Sequence, residues 1–250
     1  MSLTAIQGHL RASIAGRAQR VGPFLVTFQP DTATPGRNYA IPDDDATPDA
    51  ADVAELVAHF VALDRTPRLE YVSPAPAVDA ALSAAGFTVE SRYPLMTIRP
   101  ADLVEPSMAE GLDMVLATSD AQLWRAATVQ HAAYGEGDPT EHDVARLRGT
   151  VAGGGAVALA LFDGEPVGSG LFTVPNNGLT EIAAVGVAES YRRRGIAAAM
   201  AYRLTRAALD LGAVPYLQAE GEPEQRIYAR VGFHAIGSLT AISLRGTAPE

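Results

Sequence analysis

The chain has 250 residues, 29 acidic against 19 basic side chains, a formal net charge of −10 and no cysteine. It is long enough for one large or two small domains, and hydrophobic enough (48%) to bury a core. The charge argues against nucleic-acid backbone binding, which needs a basic face; the missing cysteines exclude disulfides, thiolate metal sites and thiol nucleophiles.

All 19 cations are arginine, because the chain contains no lysine. That excludes a phosphate-loop lysine, a Schiff-base lysine and a lysine nucleophile. No secretion signal precedes Pro23, and no run of apolar residues is long enough to span a membrane. The expectation is a cytoplasmic protein with no membrane or nucleic-acid partner.

In chain order, residues 3–18 predict an amphipathic helix and 22–29 a strand. Residues 30–50 read as a Pro-, Thr- and Asp-rich loop containing Asp43-Asp44-Asp45. A helix follows over 49–63, with Val53, Leu56, Val57, Phe60 and Val61 at helical spacing and Asp49 and Asp52 at its start. Then come a strand at 68–72, a helix at 75–85, an extended stretch at 87–98 and a Pro-containing linker at 99–107.

The second half predicts a strand at 112–116 and helices at 119–133 and 139–152. Strands at 155–162 and 166–174 flank Asp163-Gly164, a hairpin signal. A turn at Asn176-Asn177-Gly178 leads to a strand at 179–187. A helix at 194–211, a strand at 214–219, a helix at 223–230 and a hairpin from Phe233 to Leu244 complete the chain. This order of elements predicts a mixed α/β (α+β) sheet.

The halves repeat. Gly86-Phe87 opens a stretch ending at Arg99; Gly232-Phe233, 146 residues on, opens one ending at Arg245. The same offset superposes helix 49–64 on 195–210, strand 68–72 on 214–218 and strand 24–28 on 170–174. The first half has no room for the elements at 112–160, so it is an incomplete copy.

The run at 180–204 carries the chemistry. A β-branched strand ends at Val187, and Arg192-Arg193-Arg194-Gly195-Ile196-Ala197 opens an Ala-rich helix. A helix start leaves about four N–H groups unpaired, and the helix dipole adds partial positive charge there. Gly195 and Ala197 carry no bulk, so an anion can reach that backbone. Read alone, arginines at a helix start mark a solvated face more often than a phosphate site.

Here the chain resembles the GNAT superfamily of acetyl-CoA-dependent N-acetyltransferases. Arg192, Gly195 and Ala197 match the Arg/Gln-x-x-Gly-x-Gly/Ala signature, and Tyr228-Ala229-Arg230-Val231-Gly232-Phe233 matches the closing Tyr-x-x-x-Gly-Phe. The resemblance covers about residues 107–246. It implies a GNAT-like fold with a catalytic domain at 106–250 and a degenerate GNAT-like domain, lacking a cofactor site, at 1–105. It further implies acetyl-CoA as co-substrate and no metal. The coenzyme would lie between strands 179–187 and 214–219. Its diphosphate would meet the N–H groups from Arg193 to Ala197, including Ile196, and its pantetheine arm would pair with Val185 and Val187.

Amide formation from a thioester requires a deprotonated amine, a stabilised oxyanion and a protonated leaving thiolate. The resemblance makes Tyr228 the acid and Glu181, 14 residues before Gly195, a candidate base; an N–H near Val187 would form the oxyanion hole, with Gly186 marking a strand bulge. Glu220 is the next candidate base and could also bind a cationic amine, and Tyr134 and Trp124 fall in the family's acceptor wall. His9, His59, His131, His142 and His234 have no metal-ligand spacing. The offset puts Asp49 at the place of Gly195, Ala46 at Arg192, Leu82 at Tyr228 and Pro35 at Glu181, so the first copy should repel a diphosphate.

The expected acceptor is the amine of a small molecule or peptide, which attacks the acetyl thioester directly in a ternary complex. The expected state is a monomer, with the first half as a built-in pseudo-dimer partner, or a homodimer. A non-catalytic acyl-CoA sensor, a longer acyl donor and an unrelated phosphate-ligand protein remain open.

Overall fold

The structure is a computed structural model that describes residues 1–30 and 32–244; Arg245, the end of the second repeat, lies outside the described residues. The described residues form two compact units, one of residues 1–94 with 236–244, the other of residues 95–235.

The first unit begins with α1 (Leu3–Ile14), capped by Ser2. The helix stops four residues short of the expected end, since the chain must turn before β1 (Gln19–Val21) pairs with β2 (Phe24–Thr27). The expected single strand at 22–29 is thus the second arm of a hairpin that turns at Gly22, φ +50. β3 (Tyr39–Pro42) lies in the stretch read as loop and pairs antiparallel with β2. Prolines and aspartates around it mask its four residues.

The unit continues through α2 (Ala50–Ala62), β4 (Arg68–Ser73), α3 (Pro76–Ala84) and the start of β5 (Thr88–Thr97). Its strand order is β1-β2-β3-β4-β11, where β11 (His234–Ser243) runs antiparallel to β4. β11 is one ten-residue strand, which corrects the expected hairpin at 233–244. Gly237 does not break it; leaving out a side chain there makes room for Leu3, whose Cδ2 lies 2.7 Å from where a Cβ would stand. The core joins Phe24, Val26, Val53, Leu56, Phe60, Leu69, Tyr71 and Leu82.

The second unit contains β6 (Leu112–Leu116), α4 (Asp120–Tyr134), α5 (Glu141–Ala152), β7 (Ala156–Phe162), β8 (Glu165–Phe172) and β9 (Leu179–Val187). α6 (Ile196–Asp210), β10 (Val214–Gln218) and α7 (Glu222–Ala229) follow. Its strand order is β5-β10-β9-β8-β7-β6, with β5 contributing Leu95–Thr97.

Both faces of this second sheet are covered, as period-2 alternation requires. Phe172, Ile182 and Leu217 pack on Ala201, Leu204, Ala208 and Tyr228. Their neighbours Leu171, Val157 and Leu159 pack on Leu123, Ala126, Val144 and Leu147.

The repeat is expressed element by element. α2, β4, α3 and β5, advanced by 146 residues, start on the first residues of α6, β10, α7 and β11. β3 departs from it. In the first unit Ala40 pairs with Leu69, and in the second Thr180 pairs with Pro215. Register therefore makes Ile41, not Pro35, the counterpart of Glu181.

Candidate active site

The site is built around a parting of two strands. β9 and β10 pair in parallel only from Leu179↔Val214 to Ile182↔Leu217. β10 ends at Gln218, while β9 continues to Val187 against β8 alone. On its other side β9 is therefore an open edge from Ala183 to Val187. Antiparallel pairs alternate between bonded and non-bonded. Ala188 donates to Val167 O at 2.9 Å, so Val187, paired with Gly168, turns its N–H away from β8 to the open edge.

A bulge aims that edge. Ser169 faces Gly186 and Leu171 faces Ala183, leaving Ala184 and Val185 opposite Gly170 alone. Ala184 takes φ +54, the left-handed region that a residue with a side chain rarely enters. The bulge expected beside Gly186 therefore sits one to two residues earlier. Gly186 is small for another reason: a Cβ there would lie 2.9 Å from Ala133 Cβ and 3.3 Å from the Tyr134 ring.

The start of α6 has the bare character expected of an anion site. Its N-cap, Gly195, has φ +80 and supplies no side-chain cap. The first bond of the helix runs from Ala199 N to Gly195 O at 3.0 Å, which leaves the N–H groups of Ile196, Ala197 and Ala198 without intrahelical partners. Apart from its chain neighbours, no atom of the described residues lies within 4 Å of where a Cβ on Gly195 would stand. A diphosphate fits this cradle, since its donors have no intrahelical partners and the space beside Gly195 is open.

The three arginines differ in their surroundings. Arg192 donates from Nε to Val187 O at 3.1 Å and from its terminal nitrogen to Ala133 O at 3.2 Å, bracing β9 against the end of α4. The Arg194 guanidinium stands 5.1 Å from the Tyr191 ring centroid and 5.5 Å from that of Phe162. Arg193 has φ +64 and is exposed, and no partner for its side chain is found among the described residues.

Tyr228 lies at the end of α7, 8% exposed. Burial holds its proton well above the ordinary phenol range, and Tyr134, Glu224 and Glu220 push the same way. Tyr134, half exposed on the last turn of α4, is raised first by burial, then by Glu220 and Glu136. The structure thus brings Tyr228, Tyr134 and Glu220 together beside the open edge.

Glu181 stands one residue before the parting, opposite Tyr216, and its Oε1 accepts from Gln218 Nε2 at 2.8 Å. Trp124 is ten residues before Tyr134 on α4, about 15 Å along the helix axis, and does not join this group. Sequence reading missed Gln218, and it missed Gln130, whose Nε2 donates to Ala184 O at 3.0 Å. The available signal was a polar residue on the apolar face of a predicted helix.

The first unit has the same two features, with backbone groups at each engaged by its own side chains. At the start of α2, Asp49 forms a capping box and its carboxylate accepts from Ala51 N at 2.8 Å and Asp52 N at 2.9 Å. β3 and β4 also part after a short parallel contact, and buried Gln7 of α1 bridges them. Its Nε2 donates to Pro42 O and its Oε1 accepts from Val72 N, both at 2.9 Å.

Residues 122–233 match the family model described as "Acetyltransferase (GNAT) family". No curated protein sequence matches the chain significantly. Among solved structures, a GCN5-related N-acetyltransferase from Kribbella flavida is 24% identical, with TM-score 0.80 over 98% of this chain and 96% of that one. A GCN5-related N-acetyltransferase from Sphaerobacter thermophilus is 14% identical, with TM-score 0.69 over 97% and 89%. A tandem GNAT protein from the clavulanic acid biosynthesis pathway is 12% identical, with TM-score 0.62 over 99% and 96%. These likenesses show the fold.

Proposed function

We propose that this chain, whose residues 122–233 match the GNAT acetyltransferase family model, transfers an acetyl group from acetyl-CoA to a primary amine of a small molecule or peptide. The observation that carries this reading is the bare start of α6 beside the open edge of β9. The coenzyme supplies an acyl thioester; the rest is done by the chain. The N–H groups from Arg193 to Ala197 hold the diphosphate, and Arg193 adds an unpaired charge. The edge at Val185 and Val187 pairs with the pantetheine arm, as a strand adds to a sheet. The Val187 N–H stabilises the oxyanion.

Tyr228 keeps its proton and delivers it to the departing thiolate. Glu181, oriented by Gln218, accepts the amine proton, and Glu220 attracts a cationic acceptor to the mouth. Among the described residues no helix is long and apolar enough to cross a membrane.

Screening acetyl-CoA against a panel of amines and peptide N-termini, with free-thiol release as the signal, tests the reaction. Turnover with one amine class is expected; tight binding without turnover would favour a sensor. The raised phenol also sets a pH expectation. A normal phenol ionises near pH 10. Because Tyr228 is raised, its acid form persists past that point. The kcat profile should therefore rise with amine deprotonation and stay level through pH 10. A descending limb centred below pH 10 would contradict Tyr228 as the acid.

We further propose that residues 1–105 are a degenerate GNAT-like domain without a cofactor site and that 106–250 form the catalytic domain. Asp49 already occupies the helix start in the first copy, and Gln7 already bridges its parted strands. Gln7→Leu leaves Pro42 O and Val72 N unpaired in a buried setting, costing about 1–3 kcal/mol of stability. Thermal unfolding should register that loss, while acetyl-CoA affinity should stay unchanged. A change in affinity would count against a cofactor-free first copy.

A further inference from the structure

We infer that Gln130 is a positioning residue for the acyl-transfer site, an inference that rests on the proposed function and extends it. Gln130 is 6% exposed, on a face of α4 otherwise made of Leu123, Ala126, Ala127 and Val129. An amide buried in such surroundings is costly unless it is bonded. Its bond goes to one atom, the carbonyl oxygen of Ala184, at 3.0 Å.

Ala184 is the residue that the register shift displaces and the one with φ +54. A strand carbonyl turned out of its ladder needs a donor from elsewhere. Gln130 supplies it from the adjacent helix. Without that donor, the ladder would gain by absorbing the extra residue and pairing regularly. Side chains and N–H groups would then exchange faces from Ala184 onward. Val187 N–H would turn from the open edge toward β8, and Val185 would change sides. Gln130 thus controls which way the edge points, although it need not touch either substrate.

Two substitutions separate this role from simple packing. Gln130→Met keeps the length and removes the donor; Gln130→Glu keeps the shape and, when ionised, sets an acceptor against a carbonyl. Both should lower kcat by about 10- to 100-fold, the scale of an ångström-sized misplacement. Acetyl-CoA affinity should change less than threefold, because the cradle at α6 is untouched. Amide hydrogen exchange should accelerate at least tenfold at Gly186 and Ala188, with the α6 amide of Leu204 unaffected.

A folded Gln130→Met variant with unchanged exchange across residues 184–188 would overturn the inference. So would one with unchanged kcat where the wild type turns over. If the wild type turns over no amine, the proposed reaction fails and the exchange measurement decides the role of Gln130 by itself.

Discussion

Gly195→Val should abolish measurable acetyl-CoA binding, weakening it by 100-fold or more, with only a small fall in melting temperature. Strain and bulk act separately here. Gly195 has φ +80, where a β-branched residue is disfavoured by about 1–2 kcal/mol. That strain falls on one exposed turn, so the fold survives it. Nothing within 4 Å opposes the new Cβ, so the side chain occupies the open space before the N–H groups of Ile196 and Ala197. Gly195→Ala adds the strain with less bulk and should give a smaller loss. Calorimetric titration of both variants checks the order. Undiminished binding by the valine variant would remove the α6 start from the site.

Tyr228→Phe should lower kcat by about 10²–10³-fold while leaving acetyl-CoA affinity within about threefold. The phenol is buried against Phe233, with ring centroids 6.3 Å apart. Removing its oxygen keeps that packing and deletes one proton donor. Single-turnover kinetics with saturating acetyl-CoA would isolate the step. Turnover equal to wild type would assign leaving-group protonation elsewhere. Tyr134→Phe provides the contrast, because Tyr134 is half exposed and sits over Gly186. Its loss should act mainly on KM for the acceptor.

Much of this was legible from spacing. The strand at 179–187, the glycine opening α6 and the tyrosine closing α7 are local signals, each set by a few neighbouring residues. β3 was not legible, because four residues beside an Asp run are stabilised by pairing with Phe24–Thr27, not by their own pattern. The bulge was misplaced for a related reason. Gly186 is the conspicuous residue, yet its smallness answers to Ala133 on another element, while the strained residue is an ordinary alanine. Gln7 and Gln130 carry no motif at all. Their significance lies in carbonyls 35 and 54 residues away. The arginines differ in ways that spacing does not show, since Arg192 braces the scaffold and Arg194 lies against aromatic rings.

The exchange of closing strands has a consequence for how such a chain can be divided. The sheet of residues 1–94 is completed by β11, and that of residues 95–235 by the end of β5. Severing the polypeptide between residues 105 and 106 would follow the duplication visible in its letters, yet strip β4 of its antiparallel neighbour. The fragment would present naked backbone, a template for self-association. In the tandem arrangement proposed above, each half keeps a whole sheet only with a strand drawn from the other.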